Sequence, residues 1–180
     1  LATVAAMLPK EWHLRLVDLN IRGDVSQEEL AWANYVLISA MTVQRDSSRS
    51  VIMRAKQAGV QVIAGGPLFT NEHEAFPDVD YFVLNEAEIT LPLFLADFER
   101  GNPKRMYASN SFSDMRLTPI PRWDLLKIGP YVSMSVQWSR GCPYQCEFCD
   151  VTKLFGHRPR IKTSDQMIAE LDALWEAGWR

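Results

Sequence analysis

The sequence predicts an α/β protein built on a parallel, doubly wound sheet, and three observations carry that reading. Short, nearly continuous apolar runs at 35–40, 60–64 and 81–84 have the character of strands covered on both faces. Between and after them lie segments with apolar residues at helical spacing, one stopping at Gly59 and another at Gly101. The loops joining them are short, and strands alternating with helices on short loops imply parallel strands with right-handed crossovers. In such sheets ligands bind off the C-terminal ends of the strands.

The elements follow in order. Leu1 to Leu8 reads as the middle of a helix stopped at Pro9, and with Leu at position 1 the chain is expected to be part of a longer protein. Residues 12–20 alternate well enough for a strand, and a turn at Arg22-Gly23-Asp24 follows. Ser26 with Glu29 three positions on makes a capping box that opens a short helix through Leu30 and Trp32. The strand from Tyr35 to Ala40 belongs in mid-sheet. Val51, Ile52, Ala55 and Ala58 then share a helix face, and the strand from Val60 to Ala64 runs into Gly65-Gly66-Pro67. After a variable stretch with His73 and Glu74, the strand Tyr81 to Leu84 leads through Asn85-Glu86 into a helix. Its buried face carries Leu91, Phe94, Leu95 and Phe98, with Pro92 placed in the first turns.

The strand tips therefore gather Asn20, then Ser39, Ala40, Met41 and Thr42, then Gly65 and Gly66, then Asn85 and Glu86. Small and hydroxyl-bearing residues dominate that edge. The close backbone approach allowed by two glycines suits a bulky ligand lying across it.

From Asn102 to about Tyr131 the alternation breaks among prolines and polar residues. The division expected is a Rossmann-like domain over 1–108, a linker over 109–131 and the start of a second domain over 132–180. Residues 132–138 alternate as a strand, with Arg122 to Leu126 as a short helix before it. Lys153, His157, Arg158, Arg160 and Lys162 form a basic stretch, read as a solvated loop in preference to an anion site. Thr163 and Gln166 make a second capping box, followed by a stripe of Met167, Ile168, Leu171, Leu174 and Trp175 ending at Gly178.

Composition narrows the classes. The 180 residues are 47% hydrophobic and 23% charged with a net charge of -3, the profile of a globular protein with material for a core. That charge gives no electrostatic case for a nucleic-acid partner. No run reaches the length of a membrane span and no signal sequence opens the chain, so the expected location is the cytoplasm. Three cysteines, an odd number, make no disulfide framework.

Those cysteines carry the most specific signal. Cys142, Cys146 and Cys149 stand at Cys-x3-Cys-x2-Cys within Arg140-Gly141-Cys142-Pro143-Tyr144-Gln145-Cys146-Glu147-Phe148-Cys149-Asp150. Iron–sulfur clusters are normally held by four thiolates, so a trio with no fourth cysteine leaves one iron open to a substrate. Flanking Arg, Glu and Asp argue against three small hydrophobes packed in a core, the role isolated cysteines often have. The x3 and x2 gaps argue against a zinc site completed by His157. With Phe148 directly before the last cysteine, the motif resembles that of the radical S-adenosylmethionine (SAM) enzymes. The resemblance implies a 4Fe-4S cluster on Cys142, Cys146 and Cys149, whose open iron binds SAM and passes it the electron that cleaves it. It also implies that backbone around Phe148 helps seat the adenine, and that the strand at 132–138 begins a truncated (β/α) barrel, with its site at the strand end.

A second resemblance lies at the strand tips. Ser39-Ala40-Met41 followed by Gly65-Gly66 resembles the Ser-x-Leu and Gly-Gly elements of cobalamin-binding Rossmann-like domains, with Met41 in place of Leu. The family's Asp-x-His-x-x-Gly element lies in the loop before the first helix; the chain is expected to start inside that helix, so the element is either cut away or was never present. A Rossmann-like domain ahead of Cys-x3-Cys-x2-Cys is the layout of the cobalamin-dependent radical SAM enzymes, and the tract from Phe155 to Arg180 looks like the subgroup of hopanoid methylases and anaerobic porphyrin-cyclase relatives. The resemblance implies a methyltransferase acting on an unactivated carbon of a small-molecule substrate, lipid or tetrapyrrole, served by an electron donor such as ferredoxin or flavodoxin. The two cofactors are expected to face each other across the domain junction. Rival readings are a radical SAM cyclase or oxidoreductase and, for this stretch alone, a cofactor-binding module without SAM cleavage.

Overall fold

The computed structural model describes residues 1–180. In chain order its helices are α1 (Ala2–Ala5), α2 (Leu19–Arg22), α3 (Gln27–Trp32), α4 (Arg45–Gln57), α5 (Pro67–Glu72), α6 (Ala87–Glu99), α7 (Val151–Phe155) and α8 (Ser164–Glu176). The strands are β1 (Tyr35–Ser39), β2 (Gln61–Gly65), β3 (Tyr81–Val83), β4 (Met106–Tyr107), β5 (Ser139–Arg140) and β6 (Arg160–Ile161). The chain divides into two compact units, one of Asp24–Phe112 and one of Leu1–Gly23 with Ser113–Arg180.

The unit Asp24–Phe112 is Rossmann-like α/β. Its four strands are all parallel, in the order β1-β2-β3-β4. Side chains alternate across a sheet, and the two faces are filled differently. Val62, Ala64, Phe82 and Leu84 join Ile52 and Ala55 of α4 and Leu68 and Phe69 of α5 in one cluster. On the opposite face Tyr35 meets Phe98, and Phe94 meets Tyr81 and Tyr107, all through ring contacts 5.2–5.6 Å apart. Helices therefore cover both faces. Phe69 and Phe94 are almost wholly inaccessible, and truncating either to Ala would cost about 3–5 kcal/mol.

The helix signals in the sequence have direct counterparts. Ser26 Oγ accepts from Glu29 N at 3.1 Å while Glu29 Oε2 accepts from Ser26 N at 2.8 Å, the reciprocal capping box that starts α3. At the end of α4, Gly59 N donates to Lys56 O and Val60 N to Ala55 O. The same pair of bonds closes α6 at Gly101 and α8 at Gly178, so all three 13-residue helices stop in one motif. Pro92 lies within the early turns of α6, as expected, and the helix continues through it to Glu99. Asp80 fixes the entrance to the sheet, taking Val62 N at 2.7 Å and Lys56 Nζ at 2.7 Å. Tyr107 donates to Asp97 at 2.8 Å, and burial, its largest influence, holds its phenol above the ordinary pKa.

The second unit has a smaller core of Ala2, Trp123 and Leu174, with Leu16, Ile128, Met134 and Val136 packed against it. Its only strands, β5 and β6, pair antiparallel. The expected strand at 12–20 is absent: no neighbouring strand supplies a ladder, and Asp18 instead accepts from Asn20 N at 2.9 Å to cap α2. Residues 132–138 likewise form no strand; pairing begins at Ser139. Tyr131 donates to Asp18 at 2.8 Å. Burial first, then Asp18, pushes that phenol up to about 12. Lys162 and Glu170 form an ion pair in which both side chains are 2% exposed. Thr163 Oγ1 accepts from Gln166 N at 3.2 Å to start α8. The stripe expected to face a core is split, with Leu174 buried and Ile168, Leu171 and Trp175 exposed. No helix is long and apolar enough to cross a membrane.

Candidate functional site

Three parallel strands end side by side, with Ser39 in register with Gly65 and Gly65 with Val83. Beyond β1, Ala40 is buried and Met41 is 54% exposed. Gly66 adopts φ +85°, and a Cβ built there would stand 2.6 Å from Ser39 Oγ and 3.3 Å from Ala40 N. At Gly65 a Cβ would stand 2.5 Å from the carbonyl oxygen of Val83. Two consecutive residues without Cβ are thus what allows the tips of β1, β2 and β3 to close up. Helix α5 follows at once, and Leu68 N donates to Ala40 O at 3.0 Å, tying it to the β1 tip.

The third tip is a built turn. Asn85 sits at φ +64°, its N–H donating to Thr70 Oγ1 at 3.0 Å and its Oδ1 accepting from Ser109 N at 3.2 Å. Glu86 is buried and stands at the N-cap of α6, where its carbonyl accepts from Ile89 N at 3.0 Å. On the β1 side Met41 N donates to Gln44 Oε1 at 2.9 Å, opening a short turn over Thr42–Gln44. A shallow groove there is lined by Thr42, Val43, Arg45 and Asp46. Arg45 Nη2 reaches both carboxylate oxygens of Glu72 at 2.5 Å. Sequence reasoning missed Arg45, Glu72, Thr70 and Ser109, because their partners lie between 15 and 27 residues away and no local spacing marks them.

The cysteine loop belongs to the other unit, between β5 and α7. Gly141 has φ +90°, and a Cβ there would run into the carbonyl oxygen of Arg158 and lie 3.2 Å from that of Phe155. Cys142 N donates to Gly156 O at 3.1 Å, and Cys149 N to Cys146 O at 3.0 Å. All three thiols are free, Cys146 exposed and Cys142 and Cys149 half-buried. They do not converge as a preformed metal-holding group. Phe148 is 93% exposed. Of the basic stretch, Arg160 is engaged with the carbonyls of Ser113 and Phe155 and Lys162 with Glu170, which leaves Lys153, His157 and Arg158 exposed.

The model of the B12 binding domain family matches residues 1–95, more than half of the chain. The chain belongs to the B12-binding domain family. It is 48% identical over 182 residues to an uncharacterized methyltransferase of Synechocystis, covering 100% of this chain and 34% of that protein. It is 38% identical over 184 residues to the hopanoid C-2 methylase of Rhodopseudomonas palustris, covering 100% of this chain and 35% of the methylase. It is 23% identical over 170 residues to a bacteriochlorophyllide d C-8(2)-methyltransferase of Chlorobaculum tepidum, covering 90% of this chain and 37% of that enzyme. The chain thus spans about a third of the length of these relatives. The strand tips of this B12-binding domain are closely packed and carry exposed apolar residues at their edge. No Cβ stands between Gly66 and Ser39, and Met41 and Val43 offer exposed apolar surface alongside. The cysteine loop fits an iron–sulfur cluster by its donor set, three free thiols on one open loop.

Proposed function

We propose that the chain is the cofactor-binding part of a cobalamin-dependent radical SAM methyltransferase that methylates an unactivated carbon. The observation that carries this reading is the Gly66–Ser39 approach at the strand tips of a B12-binding domain whose chain also bears Cys-x3-Cys-x2-Cys. Ser39, Ala40, Met41, Thr42, Gly65 and Gly66 would line the corrinoid, with Asn85 and Glu86 shaping the neighbouring turn. Cys142, Cys146 and Cys149 would hold a 4Fe-4S cluster, and the backbone at Phe148 would seat the adenine of SAM. When bound, the cluster supplies an electron that cleaves SAM and the corrinoid supplies a transferable methyl group. The chain's own contribution is to position. Gly141, pressed against the Arg158 and Phe155 carbonyls, aims the first thiolate, and the apolar lip of Met41 and Val43 keeps water from the corrinoid edge.

Relatives named for hopanoid and bacteriochlorophyllide chemistry support a lipid or tetrapyrrole substrate. A reduced ferredoxin or flavodoxin is the class of donor the cluster needs, and a start of the (β/α) barrel after residue 131 is where the substrate would dock. Anaerobic purification of the full-length protein, with iron, sulfide and corrinoid analysis and turnover of methyl-labelled SAM, tests this. Iron, corrinoid and labelled product support it; zinc in place of iron, or product without label, refutes the methyltransferase.

A further inference from the structure

The structure sorts the basic stretch around the cysteines into two sets. From Ser139 to Lys162 the chain carries five Lys and Arg against two carboxylates, Glu147 and Asp150, in a protein whose net charge is -3. Two of the five cations are engaged internally: Arg160 donates to the carbonyls of Ser113 and Phe155, and Lys162 pairs with Glu170. Lys153, His157 and Arg158 are exposed, and no hydrogen bond or ion pair holds their side chains.

Their backbone, by contrast, is fixed against the cysteine loop. Gly156, at φ +77°, turns the chain out of α7, and its carbonyl accepts from Cys142 N at 3.1 Å. The Arg158 carbonyl fills the space that a Cβ on Gly141 would need. Just beyond, Arg160 and Ile161 of β6 pair with Arg140 and Ser139 of β5. His157 and Arg158 are thereby stitched to Gly141 and Cys142, while Lys153 sits on α7, which follows the last cysteine directly.

Free cations on a surface are usually no more than solvated side chains. These differ in two respects: no carboxylate lies among them from Val151 to Lys162, and they are anchored at the rim of the loop that bears all three thiols. Fixed charges of one sign act over a Debye length of about 10 Å at 0.1 M salt, and such fields steer oppositely charged partners onto one face. Electron delivery needs such a face. Transfer between proteins weakens steeply with distance, so a carrier must dock beside the cluster it reduces and then leave. Encounters of that kind bury less than about 1,200 Å² and depend on steering in place of a large apolar contact.

We infer that Lys153, His157 and Arg158 form the docking surface for an acidic one-electron carrier protein. The reduced carrier gives up one electron and the cluster on Cys142, Cys146 and Cys149 gains it; no bond is made or broken. This rests on the cluster reading of the cysteine loop.

The test uses the full-length protein with its cluster assembled anaerobically, and an acidic flavodoxin as the probe. Affinity for the oxidised flavodoxin is measured by titration calorimetry, without turnover, and cluster reduction by its hydroquinone is followed by stopped-flow absorbance. Wild type is compared with Lys153→Glu/Arg158→Glu, with reduced methyl viologen, a small cation, as the control reductant. The reversal is expected to weaken flavodoxin binding and slow its reduction of the cluster about tenfold at low salt, the gap closing as salt rises. Methyl viologen is expected to reduce the variant no more slowly than wild type, and the neutral Lys153→Gln/Arg158→Gln protein to fall between the two. A cluster-bearing wild type that binds no flavodoxin, or a reversal that changes neither affinity nor rate, overturns the inference. So does equal slowing with both reductants, which moves the effect to the cluster itself, and so does a loss that persists at high salt, which marks damage to the loop. Full-length wild type that assembles no iron–sulfur cluster overturns the reading of the cysteines, an outcome distinct from the others.

Discussion

Replacing Gly66 with Ala probes the strand-tip geometry most sharply. Gly66 has φ +85° and ψ -179°, a region almost closed to residues with a Cβ, and entering it costs about 1–3 kcal/mol. The new methyl would also stand 2.6 Å from Ser39 Oγ and 3.3 Å and 3.4 Å from the backbone N and O of Ala40. Ser39 can rotate its hydroxyl away, but the Ala40 backbone is tied to α5 through Leu68 and yields little. The total expected is about 2–4 kcal/mol, read as a lowered urea midpoint at unchanged slope. Adding Ser39→Gly removes only the side-chain clash and should return about 1 kcal/mol at most, since the backbone strain persists. Gly65→Ala behaves differently: its obstacle is the Val83 carbonyl of the neighbouring strand, so Ser39→Gly returns nothing. A Gly66→Ala protein within about 0.5 kcal/mol of wild type, the range of ordinary surface changes, would refute the reasoning.

Other outcomes follow from the same structure. Lys162→Met alone should cost about 3–5 kcal/mol because it strands Glu170 in the core, whereas Lys162→Met with Glu170→Leu should be near neutral; equal costs in urea unfolding would contradict the pairing. Thr163→Ala should cost about 1 kcal/mol through loss of the α8 cap, and no shift in midpoint would deny the cap its role. In an ultraviolet titration Tyr107 should ionise above the ordinary tyrosine value and Tyr131 at about 12. Because the folded pKa of Tyr131 is raised above its ordinary value near 10, its contribution to stability is complete below about pH 10. It is lost as pH climbs to about 12. Tyr131→Phe should remove that late step, and its persistence would reassign it.

Much of the Rossmann-like unit was legible because its signals are local. The capping boxes at Ser26 and Thr163 and the glycine stops at 59, 101 and 178 act within a few residues, and β1, β2 and β3 coincide with the apolar runs. Gly65-Gly66 was readable as a close approach, though its partners Val83 and Ser39 were not. What failed was non-local. The alternation at 12–20 and 132–138 is real, yet a strand exists only where a neighbour completes its hydrogen bonds, and none does there. The α8 stripe misled because Glu170 is buried by Lys162, which turns a charged position inward and leaves Ile168 and Leu171 outside. Arg45 with Glu72 escaped notice for the same reason, being joined across 27 residues.

Hydrogen–deuterium exchange of the chain with and without hydroxocobalamin tests the central claim, that the tips of β1 and β2 form the corrinoid seat. Slowed exchange confined to peptides spanning 39–46 and 65–72 is expected. Unchanged exchange there, or protection appearing only in the cysteine-bearing unit, would contradict it.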